Sequence, residues 1–183
     1  MDKVDLNYGV KDIKTLEGIE AIRLRPGMYI GSTGPEGVKQ ITLEIISNAV
    51  DEYLNGYCTK CSIYVGEDDN VTIVDNGRGI PFGKAKDGSE TLINIFTKLH
   101  TGAKFDSSGK TGYNTSGGMN GVGAKATNAL SYFFNVSSVR DGKEAIAIVQ
   151  KGKNTFFDIR DWKNQEHPHG TKIDFMPDPE IFK

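Results

Sequence analysis

The stretch Val38-Lys39-Gln40-Ile41-Thr42-Leu43-Glu44-Ile45-Ile46-Ser47-Asn48-Ala49-Val50-Asp51-Glu52-Tyr53-Leu54-Asn55 decides how the rest of the chain is read. Projected at about 100° per residue, Val38, Leu43, Ile45, Ile46, Ala49, Val50, Tyr53 and Leu54 cover about half of a helix circumference. Glu44, Asn48, Asp51, Glu52 and Asn55 fill a separate polar arc, and Ile41 is the one apolar residue inside it. The reading is a long amphipathic helix closed by Gly56. Glu44, Asn48 and Asp51 are spaced by four and three and so share a face. Such a row is most often a solvated surface. It also combines a potential base, an amide oxygen suited to a hard cation, and further carboxylates, the kind of oxygen set through which Mg²⁺ is held together with phosphates.

Outward from this helix, Ser62–Val65 and Val71–Val74 read as strands around a Glu67-Asp68-Asp69-Asn70 turn. Asp75-Asn76-Gly77-Arg78-Gly79-Ile80-Pro81 follows. An aspartate ending an apolar strand sits at a pocket wall, where it can accept a hydrogen bond from an amine. The flanking glycines let a planar group approach the backbone. Thr91–Leu99 has helical spacing. Ser116-Gly117-Gly118-Met119-Asn120-Gly121-Val122-Gly123 then leads into a helix expected over Gly121–Leu130. Successive backbone N–H groups ahead of a helix form an anion cradle. No Gly-Lys-Ser/Thr follows, so this is not a Walker A loop. No strand immediately precedes it, so it is not a dinucleotide fingerprint. Phe134–Arg140, an Asp141-Gly142 hairpin turn, Glu144–Lys151, Thr155–Asp161 and Thr171–Met176 complete a strand meander. Leu16–Leu24 reads as a helix ending before Pro26, and Pro26–Gly31 and Ser32–Gly37 read as turns and loop.

Composition narrows the function classes. The chain has 183 residues, 37% hydrophobic and 25% charged, which suits a globular domain. The formal net charge of −2 does not give the basic footprint of a nucleic-acid binder. No apolar run approaches the ~20 residues of a membrane span, and Met1–Asp5 has no signal core, so no membrane partner and a cytoplasmic location are expected. Cys58 and Cys61 form a lone C-x-x-C without the second ligand pair of a structural zinc site. Glycine, 22 residues, is above the usual level of about 7%. Twelve of the 22 lie from Gly66 to Gly123, which points to backbone that approaches something closely.

Three pieces in order, Glu44-x-x-x-Asn48-x-x-Asp51-Glu52, Asp75-x-Gly77-x-Gly79 and Gly117-Gly118-x-x-Gly121-x-Gly123, resemble the ATP-binding motifs of the gyrase, heat-shock chaperone, histidine kinase and MutL superfamily. Arg23-x-Arg25-Pro26-Gly27-Met28-Tyr29-Ile30-Gly31, Lys104-Phe105-Asp106 and Gly170-Thr171 narrow the likeness to the ATPase (B-type) subunit of type IIA DNA topoisomerases, the gyrase and topoisomerase IV group. The resemblance runs from about residue 12 to 182. The run from Asn120 to Lys125 is nearer the eukaryotic topoisomerases II.

The resemblance implies a Bergerat-type fold: a two-layer α/β (α+β) sandwich with a mixed, largely antiparallel sheet and helices on one face. It implies an arm over 1–12, an ATP-binding domain over 13–183, and a lid over 100–123, in a piece of a longer subunit. Glu44 would activate the water that attacks the γ-phosphate, Asn48 would hold Mg²⁺, and Asn48, Asp51 and Glu52 would belong to the nucleotide-binding set. Asp75 would bind the adenine amine with Thr171 assisting. Ile45, Ile73, Ile80, Pro81 and Ile95 would line the adenine pocket beside Gly79. Arg78 would lie along the adenine edge and pair with Glu52. Lys104 and the backbone of Gly118, Met119, Asn120, Gly121, Val122 and Gly123 would hold phosphates. Arg78, Pro81 and Arg140 would border the pocket that takes aminocoumarin inhibitors. Tyr8 would reach a second subunit. The partners implied are ATP, a second copy, an A-type subunit and DNA. A MutL- or chaperone-like ATP-gated clamp is the alternative, disfavoured by the Arg-Pro-Gly-Met-Tyr-Ile-Gly segment.

Overall fold

A computed structural model of the chain describes residues 18–98 and 123–183. Its elements are α1 (Ile19–Leu24), α2 (Gly27–Ile30), α3 (Pro35–Leu54), β1 (Cys61–Val65), β2 (Val71–Asp75), α4 (Thr91–Thr97), α5 (Gly123–Ala129), β3 (Ser131–Arg140), β4 (Lys143–Gln150), β5 (Lys153–Asp161) and β6 (Gly170–Pro177). The expected arm with Tyr8, and Lys104, Gly118, Met119, Asn120, Gly121 and Val122 of the expected lid, lie outside the described residues.

The six strands form one sheet in the order β1-β2-β6-β3-β4-β5. Every pairing is antiparallel, which is narrower than the mixed, largely antiparallel sheet the resemblance implies. Strand side chains alternate. By register, one face presents Val71, Ile73, Phe134, Val136, Ala145, Ala147, Val149, Ile173 and Phe175, all buried. Ile22, Ile41, Ile45, Leu92, Phe96, Ala126 and Ala129 of the helices join them in one core, so the helices cover that face. The other face carries polar ladders, with the Thr72 hydroxyl donating to Asp174 at 2.9 Å and Ser137 donating to Glu144 at 2.6 Å. Asp141 and Gly142 both have positive φ, as the two-residue turn between β3 and β4 requires.

The helix α3 departs from its amphipathic projection. Ile41 is fully buried with Ile45 and Ala49, whereas Leu43, Val50, Tyr53 and Leu54 are exposed. The polar residues Glu44, Asn48 and Glu52 form the ridge next to the buried Ile41-Ile45-Ala49 ridge. The helix therefore turns its carboxylates partly inward and four residues of its apolar arc, Leu43, Val50, Tyr53 and Leu54, outward, while Ile45 and Ala49 of that arc stay buried. The helix also begins at Pro35, earlier than Val38, because proline suits a helix's first turn. Pro26 likewise starts α2 where turns are expected, with Ile30 N–H donating to its carbonyl at 3.1 Å.

The short, polar α5 is held by three neighbours. Thr127 Oγ1 donates to the Ile41 carbonyl at 2.8 Å, Asn128 Nδ2 to that of Phe96 at 2.9 Å, and Arg23 Nη1 donates to Ala129 O at 2.7 Å. Arg23 also pairs with the buried Asp178 at 2.6 Å. At the core's centre Phe134 is fully buried between Phe96 and Phe175, with ring centroids at 5.1 and 6.4 Å. Phe134→Ala is expected to lower the unfolding free energy by about 3–5 kcal/mol, read as a shift of the urea midpoint without a change in slope.

Candidate active site

Asp75 ends β2 on the helix-covered face. Its register partner on β6 is Thr171, whose partner on β3 is Ser138. Three adjacent strands thus deliver a carboxylate and two hydroxyls in one row, which is the floor of the site. Gly77 N–H donates to Asp75 Oδ1 at 2.8 Å, and buried Ser138 donates to the Ile80 carbonyl at 2.8 Å. Gly79 has φ +75, and a β-carbon there would run into the Val139 carbonyl, so this turn admits only glycine.

The turn is fastened to α3 through Glu52. Its Oε2 accepts from Arg78 N and Nε, both at 3.1 Å, and its Oε1 accepts from Arg78 Nη2 at 2.8 Å. The expected guanidinium–carboxylate fork is therefore formed, with a backbone amide added to it. The Arg78 guanidinium also stacks on Tyr57, 3.7 Å from the ring centroid. Asn76 fastens the turn to the entry of β1: its Oδ1 accepts from Thr59 N and Lys60 N, each at 2.9 Å.

At the other end of the ridge, Gln40 Nε2 donates to Glu44 Oε1 at 2.8 Å. The first residue of α5, Gly123, lies against the second carboxylate oxygen, where a β-carbon would collide with it. Asn48 lies on the same ridge between Glu44 and Glu52 and is exposed. Asp51 is buried instead, 2% exposed. Ile45 and Ile73 are core residues, Ile80 and Ile95 are half-buried against that core, and Pro81 is exposed at the rim. Arg140 lies two residues beyond Ser138 on the same face and pairs with Asp141 at 3.0 Å.

Burial pushes the Asp75 carboxyl above its ordinary value, and the neighbouring Glu52 carboxylate pushes the same way. Hydrogen bonds from Gly77 and Thr171 and the His169 ring pull it back. Two residues here are absent from the set expected from the sequence. Ser138 could have been found as the polar residue at an inward position of the Phe134-Val136-Ser138 alternation. His169, whose Nδ1 is 2.6 Å from the Gly77 carbonyl, meets its partner only through the fold.

A β-strand carboxylate, a glycine turn and a polar helix ridge on one side of an antiparallel sheet define a nucleotide-binding ATPase architecture. The sequence agrees: the profile of the histidine kinase-, DNA gyrase B- and HSP90-like ATPases matches residues 33–180, and the chain belongs to that family. It is 45% identical over 184 residues to the B-type subunit of DNA gyrase from Synechocystis sp., spanning 100% of this chain and 17% of that one. It is 42% identical over 180 residues to the B-type subunit of DNA topoisomerase 4 from Enterococcus faecalis, spanning 98% and 26%. The corresponding topoisomerase 4 subunit of Staphylococcus aureus is 45% identical over 177 residues, spanning 97% and 26%. Among solved structures, the 43K ATPase domain of Thermus thermophilus gyrase B in complex with an aminocoumarin superposes with a TM-score of 0.76 at 37% identity, covering 91% of this chain and 41% of that one. The chain thus spans 17 to 26% of the length of these curated relatives. No helix among the described residues is long and apolar enough to cross a membrane.

The raised Asp75 carboxyl has a cost in the unliganded fold. A carboxyl raised in the folded state favours folding only where it is protonated, and that advantage is lost as pH rises through the folded value. Asp75→Asn is therefore expected to raise the thermal midpoint at neutral pH, with the gap from the parent closing as pH falls into the carboxylate range. Thermal scans across that pH range read it.

Proposed function

We propose that this chain is the ATP-binding and ATP-hydrolysing domain of the B-type subunit of a type II DNA topoisomerase, of the gyrase or topoisomerase IV kind. Its nucleotide cycle would drive closure of the subunit clamp and DNA strand passage in the cytoplasm. The arm around Tyr8 would reach a second copy, and the A-type subunit and DNA would complete the assembly. One observation carries the reading. The single helix α3 meets the Asp75 turn through Glu52 and the start of α5 through Glu44, and eight residues of helix separate these by about 12 Å, a span suited to a nucleoside triphosphate lying along the ridge.

In this reading, Asp75 accepts from the exocyclic amine of adenine, with Thr171 beside it. The ring lies on the Gly77–Gly79 turn, between Ile80, Pro81 and Ile95 and the core residues Ile45 and Ile73. Arg78, held flat by the Glu52 fork, covers the ring edge. With Arg140 and Pro81 it forms the outer wall that an aminocoumarin would meet. Asp51 supports the ridge from its buried side.

At the phosphate end, Lys104 and the backbone from Gly118 to Gly123 neutralise and hold the anionic oxygens. Glu44, oriented by Gln40 and confined by Gly123, aligns the attacking water and takes its proton. Phosphoryl transfer asks for this kind of positioning and charge balance more than for covalent help. The donor set also suits Mg²⁺: Asn48 offers one amide oxygen, and no cluster of three or more acidic, His or Cys side chains competes among the described residues. A cation held mainly by phosphate oxygens and one or two protein groups fits that arrangement, and when bound it supplies charge neutralisation at the β- and γ-phosphates.

Titration calorimetry of this chain with ATP and Mg²⁺ is expected to show one-site binding with weak turnover, and absence of binding overturns the reading. In the full-length protein, Glu44→Ala is expected to retain ATP binding while steady-state hydrolysis falls by about 10²-fold or more. Unchanged turnover removes Glu44 from the role of base.

A further inference from the structure

The segment between β5 and β6 is drawn against the turn that carries Asp75. Its first residue is fixed twice: Trp162 N–H donates to the Gly142 carbonyl at 2.8 Å, and the Trp162 indole donates to the His167 carbonyl, also at 2.8 Å. Inside the segment, Glu166 N–H donates to Asn164 Oδ1 at 3.0 Å. The segment ends at His169, whose Nδ1 lies 2.6 Å from the Gly77 carbonyl oxygen. A carbonyl only accepts, so Nδ1 carries the proton and donates.

This contact completes the anchoring of a residue that has no side chain to anchor it. Gly77 N–H is spent on Asp75 Oδ1, and the following amide, Arg78 N–H, is spent on Glu52. The Gly77 carbonyl lies on the opposite side of its peptide from the Arg78 N–H and is taken by His169. Each polar group of the backbone from Gly77 N to Arg78 N is thus tied to a different element: β2, the strap before β6, and α3.

We propose that His169 is a positioning residue for adenine selection: by holding the Gly77 carbonyl it keeps the Gly77 N–H on Asp75 and the carboxylate aimed at the exocyclic amine. The inference rests on the reading that Asp75 recognises adenine. His169 itself need not touch the nucleotide. Its loss removes one of the two ties on the Gly77–Arg78 peptide and leaves only the Arg78 N–H on Glu52, so the Gly77 N–H holds the carboxylate less closely in its orientation.

The test compares ATP with inosine triphosphate, in which a carbonyl replaces the amine, by titration calorimetry on this chain. His169→Ala is expected to weaken ATP by roughly three- to tenfold, the worth of about one neutral hydrogen bond, and to leave inosine triphosphate unchanged. His169→Asn, whose amide nitrogen stands near the position of Nδ1 and donates likewise, is expected to restore the preference. Asp75→Asn is run beside them and is expected to remove it. If Asp75→Asn removes the preference and His169→Ala leaves it intact, or weakens both nucleotides equally, the positioning role is overturned while the adenine reading stands. If Asp75→Asn retains the preference, the adenine reading itself fails. Failure of His169→Asn to restore what His169→Ala loses also overturns the role, since a donor at that point would then not suffice.

Discussion

One carboxylate ties the two halves of the site together. Glu52, at the end of α3, accepts three hydrogen bonds from a single residue, Arg78, one of them from its backbone amide. The turn from Asn76 to Gly79 has two glycines and so has few means of holding itself. Its path is imposed by side chains from elsewhere: Glu52 of α3, Ser138 of β3 reaching Ile80, and the backbone before β1 gripping Asn76. Remove the carboxylate and the strand still ends in Asp75, but the turn has lost its link to the helix that carries Glu44 and Asn48. A bidentate pair with an added amide is geometrically more exacting than a lysine contact would be.

The same carboxylate also works against the site. Burial, and after it Glu52, makes it harder for Asp75 to ionise, and the hydrogen bonds of Gly77 and Thr171 only partly offset them. The unliganded protein therefore holds the Asp75 carboxyl above its ordinary value. The Gly77 N–H already sets the orientation of the Asp75 carboxylate.

Much of this was legible in the sequence, for a physical reason. Elements depend on local patterns, so β1, β2, α4 and the strands β3 to β6 fall within a few residues of the expected bounds, but the expected four-strand meander holds only for β3-β4-β5, since β6 inserts between β2 and β3. The site's motifs were legible because a row spaced by four and three and a D-x-G-x-G turn are short-range patterns too, although the ridge of Glu44 and Asn48 continues to Glu52 and Asp51 is buried. What was not legible depends on pairing across the chain. The projection of α3 set most of its apolar residues on one side, yet Leu43, Val50 and Leu54 face outward and Ile41 inward. An average over side chains cannot tell that a working carboxylate ridge claims part of the buried side. Ser138 and His169 enter only when β3 and the end of the β5–β6 segment are set beside the Asp75 turn.

The strand order has a consequence for how the domain is made. The last strand, β6, lies between β2 and β3. During synthesis β1 and β2 can close on each other, and β3, β4 and β5 can do the same, but the two groups have no shared hydrogen-bonded edge until residues 170–177 arrive. The long loop closed by the β2–β6 pairing is entropically the most demanding step in the sheet. Asp75 and Thr171 become neighbours only at that step. A nascent chain that already carries the complete polar ridge of α3 still has no floor to its site. The row of Asp75, Thr171 and Ser138 is thus assembled only when β6 completes the sheet between β2 and β3.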